Sequence, residues 1–216
     1  MPPLPPTPDT PAALKVIATR TLGHYAASAQ GFWEGTRDHD VSQNQQALLD
    51  ALPKGLPLRL LDFGCGPGRD LVRFKQLGHL PVGLDGCPSF VNMAREHADC
   101  EVLLQSFFEL SLAEASFDGI FANASLFHVP LALLPRVLGE LARSLVPGGV
   151  LFCSNPRSFE ENWEGWNGDR YGTYLNIEGW TRVVSEAGFT LENSYLRPSG
   201  KPPSAQPWLA MVWRKV

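Results

Sequence analysis

Leu60-Leu61-Asp62-Phe63-Gly64-Cys65-Gly66-Pro67-Gly68-Arg69-Asp70-Leu71 begins as an apolar run and ends in a helix-like pattern. Between the two, an acidic residue precedes three glycines on alternate positions. The pattern predicts a buried parallel strand, a tight turn and a helix. Without a Cβ, a glycine can take φ > 0 and lie close against a ligand. The turn opens onto a helix N-terminus, whose free N–H groups favour negative ligand groups. A dinucleotide fingerprint requires G-x-G-x-x-G. Here Arg69 holds the position of its third glycine, and Pro67 removes an N–H that a pyrophosphate would use. A nicotinamide dehydrogenase therefore fits the segment less well than a ligand of another kind.

The chain has 216 residues, enough for one domain with appendages. Its net charge of −4 comes with no basic block, so nucleic acid is not an expected partner. Four cysteines (Cys65, Cys87, Cys100 and Cys153) are scattered without C-x-x-C spacing. They read as reduced thiols of a cytoplasmic protein, without disulfide frame or zinc site. No apolar run reaches membrane-spanning length. Six prolines fall within residues 1–11, so 1–12 read as a flexible tail and 13–216 as the domain.

Strand and helix alternate along that domain. Leu80–Asp85, Glu101–Gln105, Phe117–Asn123 and Val150–Ser154 read as strands, with helical spacing over Leu71–Leu77, Pro88–His97 and Leu131–Leu145. Pro135 either kinks the last of these helices or marks its true start. Ile177–Ala187 reads as a helix stopped by Gly188, followed by strands over Phe189–Tyr195 and Trp208–Trp213. This order predicts an α/β fold with a doubly wound, mostly parallel, seven-stranded sheet. No helix fits between the last two strands, so they are expected to pair antiparallel across the Pro-rich stretch 198–207.

The glycine spacing resembles motif I of class I methyltransferases, and a terminal antiparallel hairpin belongs to that fold. The resemblance implies S-adenosyl-L-methionine as cofactor, bound at the carboxyl ends of the strands. Gly64, Gly66 and Gly68 would form the turn, with Asp62 ending the first strand. Asp85 would accept the ribose hydroxyls, and Gly86 would run beside the adenine. Ser106 stands where related enzymes often carry an acidic residue. Phe107 or Phe108 would stack on the adenine or join the core. Asn123 would lie beside the methionine moiety. Tyr25, on a helix before the first strand, would cover the cofactor or pack. His128 would face the methyl group or be a buried, hydrogen-bonded histidine.

Four further blocks carry a narrower resemblance: residues 32–44 (Phe-Trp-Glu-Gly-Thr-Arg-Asp-His-Asp-Val-Ser-Gln-Asn), 121–130 (Phe-Ala-Asn-Ala-Ser-Leu-Phe-His-Val-Pro), 164–174 (Glu-Gly-Trp-Asn-Gly-Asp-Arg-Tyr-Gly-Thr-Tyr) and 207–213 (Pro-Trp-Leu-Ala-Met-Val-Trp). They resemble the C-terminal methyltransferase domain of ovothiol synthases and its stand-alone relatives. That resemblance implies methylation of a ring nitrogen of 5-thiohistidine. The sulfoxide synthase domain of the fused enzymes has no counterpart in these 216 residues, so methylation is the one step expected of them.

Residue type agrees with a small polar acceptor. Residues 36–44 either supply polar contacts or hold Ser42 as a helix cap with solvated neighbours. Segment 155–174 reads as a long, aromatic-rich loop, either a substrate lid or a satellite packing cluster. Arg157 or Arg170 would grip a carboxylate, and Trp166, Asn167 and Tyr174 would wall or contact a flat ring. His39, Asn44 and Tyr171 would orient that ring. A neutral imidazole needs only its free lone pair, so no strong base is expected. Methylation of another small metabolite and a non-catalytic cofactor-binding module are the alternatives; the sequence does not fix an oligomeric state.

Overall fold

The computed structural model describes residues 10–55 and 57–216. The expected tail lies outside the described residues up to position 9. Its boundary moves slightly, because the first helix, α1 (Pro11–Ala27), begins at Pro11 with Thr10 as its N-cap. Proline suits a first helical turn, where its missing N–H has no partner to lose. Helices α2 (Ala29–Thr36) and α3 (Ser42–Ala51) follow before the sheet begins.

The glycine motif folds as expected. Strand β1 (Arg59–Phe63) leads through the turn into α4 (Arg69–Gln76). Leu60, Leu61 and Phe63 are fully buried, and each such side chain contributes about 1.5–3 kcal/mol of transfer free energy. Then come β2 (Leu80–Asp85), α5 (Pro88–Ala98), β3 (Val102–Leu104), β4 (Phe117–Asn123) and α6 (Leu134–Ser144). Pro135 lies in the first turn of α6 and marks its start without kinking it.

Strand β5 (Leu145–Pro156) is longer than the pattern predicts, because Leu145 already pairs with Phe117 before the irregularity at the Gly148-Gly149 turn. After it, β6 (Trp163–Asn167) and β7 (Arg170–Tyr174) form a separate two-stranded antiparallel hairpin. Helix α7 (Ile177–Glu186) precedes β8 (Phe189–Arg197) and β9 (Trp208–Lys215).

The main sheet runs β3-β2-β1-β4-β5-β9-β8. Its first five strands are parallel, and β9 enters antiparallel between β5 and β8. This is the doubly wound sheet with a terminal antiparallel pair that the sequence predicts. The order reverses beside β1, between β2 and β4, which opens a crevice at their carboxyl ends. Among the described residues no helix is long and apolar enough to cross a membrane.

Candidate cofactor and acceptor site

Two of the three motif glycines are required by packing. Gly64 has φ +79°, and a Cβ there would sit 2.4 Å from Ser125 Cβ. Gly68 has φ +96°, and its Cβ would meet the Ala94 backbone at 2.9 Å. The Gly66 N–H donates to Asp85 Oδ2 at 3.0 Å, while the Cys87 N–H donates to Oδ1 at 2.8 Å. The turn is thus laced to the end of β2 through one carboxylate. Burial pushes the Asp85 carboxyl up to about 6, against the pull of these backbone donors. Its oxygens retain acceptor capacity beyond the two N–H groups.

A cavity of about 630 Å³ opens beside this turn. Its volume suits a cofactor with a small partner. Tyr25, Gly64, Gly66, Asp85, Gly86, Ser106, Phe107 and Asn123, the positions at which the sequence suggests cofactor contacts, all line it. Phe107 packs against Phe63 with the rings tilted by 30° and 4.3 Å between centroids, and Phe108 lines the cavity as well. Ser106 spends its hydroxyl locally, accepting from the Phe108 N–H. Two expected contacts fall outside. Gly68 faces the Ala94 backbone. Asp62 is buried beneath the turn; its Oδ2 has no partner among the described residues, and burial raises its carboxyl well above the usual range.

The side of the cavity where the sequence suggests acceptor contacts assembles residues far apart in the chain. His39, Asn44, His128 and Arg170 all line the same cavity. His39 lies at the exposed rim, on the connection between α2 and α3. Ser42 does not act as the α3 cap by its side chain; its N–H donates to Asp40 Oδ1, which satisfies the helix start from outside. That connection is clamped onto α4. Arg69 donates to the Thr36 carbonyl and pairs with Asp70 at 2.6 Å, and Gln45 donates to the other Asp70 oxygen.

Asn44 is buried and its amide orientation is determined by its partners. Its Oδ1 accepts from the Tyr195 hydroxyl and from Arg197, both at 2.9 Å. Its Nδ2 therefore donates to Asn123 Oδ1, also at 2.9 Å. This leaves the Asn123 amide N–H groups as the polar face it offers the cavity. Arg197, at the end of β8, also donates to the Asp40 carbonyl. Sequence reasoning missed Arg197 and Tyr195, because neither stands beside a motif. Phe32, Phe90 and Trp208 complete the apolar lining. Trp208 lay in a block singled out by resemblance.

Segment 155–174 differs most from expectation. It folds as the β6–β7 hairpin, and of its residues only Arg170 lines the cavity. Arg157 does not line the cavity; it donates to the Gln206 and Pro203 carbonyls and lies over the Phe159 ring. Trp166 stacks beneath the Arg20 guanidinium, Asn167 pairs with Arg170 in the hairpin ladder, and Tyr174 stacks on Trp163 at 4.0 Å. The Tyr171 phenol is buried behind Ile17 and Phe108, which line the cavity while Tyr171 itself does not. These aromatics hold the hairpin together; they do not wall a ligand.

His128 and Tyr25 form one unit. His128 Nδ1 lies 2.7 Å from the Tyr171 carbonyl oxygen, and its Nε2 lies 2.9 Å from the Tyr25 hydroxyl. Burial lowers the His128 pKa to about 4, so the ring is neutral near pH 7. Burial raises the Tyr25 phenol, opposed by the nearby Arg170 guanidinium.

Comparison with known proteins agrees with this geometry. Residues 61–153 match the family model described as a methyltransferase domain. The chain is 37% identical over 120 residues to a trans-aconitate 2-methyltransferase of Methylobacterium nodulans, covering 53% of this chain and 44% of that protein. It is 37% identical over 149 residues to a malonyl-[acyl-carrier protein] O-methyltransferase of Erwinia pyrifoliae, covering 68% and 56%. The chain thus spans about half the length of these two relatives. The 1,6-didemethyltoxoflavin-N1-methyltransferase of Burkholderia thailandensis, solved with 1,6-didemethyltoxoflavin and S-adenosylhomocysteine, superposes with a TM-score of 0.79. At 22% identity it covers 99% of this chain and 94% of that one, which establishes the shared fold.

Proposed function

We propose that this chain, which carries a class I methyltransferase domain, transfers a methyl group from S-adenosylmethionine to a ring nitrogen of a small polar azole, 5-thiohistidine in the finest form of the reading. One observation carries it: the glycine turn and Asp85 share a single cavity with His39, Asn44, His128 and Arg170. Cofactor-type and acceptor-type residues therefore meet without an intervening wall. The four sequence blocks support the azole, and the Burkholderia enzyme is named as an N1-methyltransferase of 1,6-didemethyltoxoflavin.

S-adenosylmethionine supplies an activated methyl group on a cationic sulfonium. The protein's part is to hold the acceptor in line and keep water out. Phe32, Phe90, Phe107, Phe127 and Trp208 make that region apolar. In this reading Asp85 accepts from a sugar diol. Arg170 and the Asn123 amide offer donors to an anionic group, and Arg170 brings a cation suited to a carboxylate. The β6–β7 hairpin acts as a cover through Arg170. His39 and Asn44 orient the acceptor from the opposite side, and Tyr171 does so only through its backbone. We place the protein in the cytoplasm, where its free thiols stay reduced.

The test is release of S-adenosylhomocysteine with 5-thiohistidine against histidine. Turnover on 5-thiohistidine, lowered at least tenfold in kcat/KM by Arg170→Ala and by His39→Ala, is the expected result. Calorimetric binding of S-adenosylhomocysteine with no turnover on imidazole, thiol or amine acceptors would make the chain a binding module instead.

A further inference from the structure

The hydrogen bonds around His128 have a direction, and that direction reaches the cavity. The Tyr171 carbonyl can only accept. It lies 2.7 Å from His128 Nδ1, so Nδ1 carries the proton. The carbonyl is itself held in place, because the Tyr171 N–H donates to Thr21 Oγ1 at 3.1 Å on α1. A doubly protonated ring would also satisfy this contact. It is disfavoured because the ring is buried against Phe127, whose centroid is 4.0 Å away, and because the charged group facing it is the Arg170 cation. Nε2 is then a bare lone pair, and the Tyr25 hydroxyl at 2.9 Å must donate to it. With its one proton committed, the Tyr25 oxygen can only accept; the Arg170 guanidinium beside it supplies one donor, which leaves a second acceptor site for the cavity.

We propose that the chain Tyr171 carbonyl–His128–Tyr25 presents the cavity with an obligatory hydrogen-bond acceptor, and thereby selects one tautomer of the acceptor azole. The inference rests on the azole reading above. The ring N–H would point at Tyr25, and the nitrogen bearing the lone pair would face the methyl group. Tyr25 is the residue that touches the substrate. His128 and the Tyr171 carbonyl act through it, as positioning groups. The unit does not need to take up the proton. A His128 ring whose pKa is lowered to about 4 is a poorer base than the methylated azole or bulk water buffers near pH 7. The dyad therefore sets regiochemistry and leaves the proton inventory alone.

Two measurements test this. Nitrogen-15 NMR of histidine-labelled enzyme saturated with S-adenosylhomocysteine should show His128 protonated at Nδ1, unprotonated at Nε2, and unchanged between about pH 5.5 and 8. An Nε2–H tautomer, or an imidazolium in that range, overturns the proposal whatever the activity. The second is the isomer ratio of N-methylated product from 5-thiohistidine. Wild type should give one ring isomer. Tyr25→Phe, which keeps the aromatic packing, should lower kcat/KM roughly 10–100-fold and release a mixture, as should His128→Leu, in which the Tyr25 proton is free to turn into the cavity. A single isomer from Tyr25→Phe at reduced rate means that Tyr25 only packs, and overturns the tautomer role while leaving the azole reading intact. Wild-type inactivity on 5-thiohistidine overturns the acceptor reading together with what rests on it, even where the NMR tautomer is as expected.

Discussion

The two halves of the cavity are built in opposite ways. The cofactor half comes mostly from residues 64–108, where the glycine turn, the end of β2 and the residues after β3 supply most of the lining. The acceptor half joins the α2–α3 connection to Asn123, Arg170 and the end of β8 through side-chain hydrogen bonds. The Arg197–Asn44 bond alone spans 153 positions. The first half is held by covalent neighbours and sheet register. The second exists only once the whole chain has folded. A substitution in the first should act on cofactor binding and fold together, and one in the second on acceptor handling, with cofactor affinity spared.

The largest effect should come from Gly64→Ala. Its Cβ would overlap Ser125 Cβ at a backbone angle that disfavours a side chain, so at least about 3 kcal/mol should be lost. Denaturant unfolding would measure it, and a neutral outcome would show the turn to be softer than its geometry implies. Next is Asp85→Asn, expected to raise the dissociation constant for S-adenosylhomocysteine about 100-fold by calorimetry. The same residue gives a pH dependence. Its folded pKa is raised to about 6, so the carboxylate is present above that value and lost below it. Cofactor affinity should therefore fall by up to about tenfold per pH unit below pH 6, and Asp85→Asn should abolish this slope.

In the acceptor half, Asn44→Ala would leave one Arg197 donor and the Asn123 Oδ1 without this partner, and Tyr195 with only its longer contact to the Gln43 carbonyl. A loss of about 1–3 kcal/mol in unfolding free energy is expected, with acceptor KM raised and cofactor affinity within threefold of wild type. If cofactor affinity falls as far as in Asp85→Asn, the division into halves is wrong. The smallest effect is expected from Trp166→Ala. This ring contacts Arg20 and Tyr171 outside the cavity, so kcat/KM should change less than about twofold.

The same division explains what could be read from the sequence. Strand periodicity, the glycine turn, Asp85 and the hairpin strands at 189–195 and 208–213 are local patterns, and the structure contains each of them, with the two strands extended to Arg197 and Lys215. Gly68 and Asp62 carry the motif without lining the cavity, since spacing gives a residue's place in a turn and not the direction it faces. The β6–β7 hairpin was legible only as an aromatic-rich segment. Its turn glycine, Gly168 (φ +62°), offered a hairpin signal, but the flanking aromatics suggested a ligand wall equally well. Arg197 was beyond reach, because a lone arginine before a proline has no partner until α3 is folded against β8. Tyr171 shows the limit most clearly: its residue type suggested a phenol in the site, whereas the group that reaches His128 is its carbonyl, which every residue has.

The place of β9 in the sheet has a consequence for how the protein is made. Residues 208–215 are synthesised after every other strand, yet they fill the gap between β5 and β8 and hydrogen-bond to both. Until they leave the ribosome, β8 has no neighbour and β5 exposes an open edge, the kind of edge that other chains pair with. The growing protein can complete the glycine turn early, but it cannot complete the Arg197–Asn44 bond until β8 is fixed by β9. The glycine turn lies wholly upstream of β9 in the chain, yet the cores that bury β1 take in Leu209, Ala210, Met211, Val212 and Trp213, so the last strand made finishes the packing beneath the first.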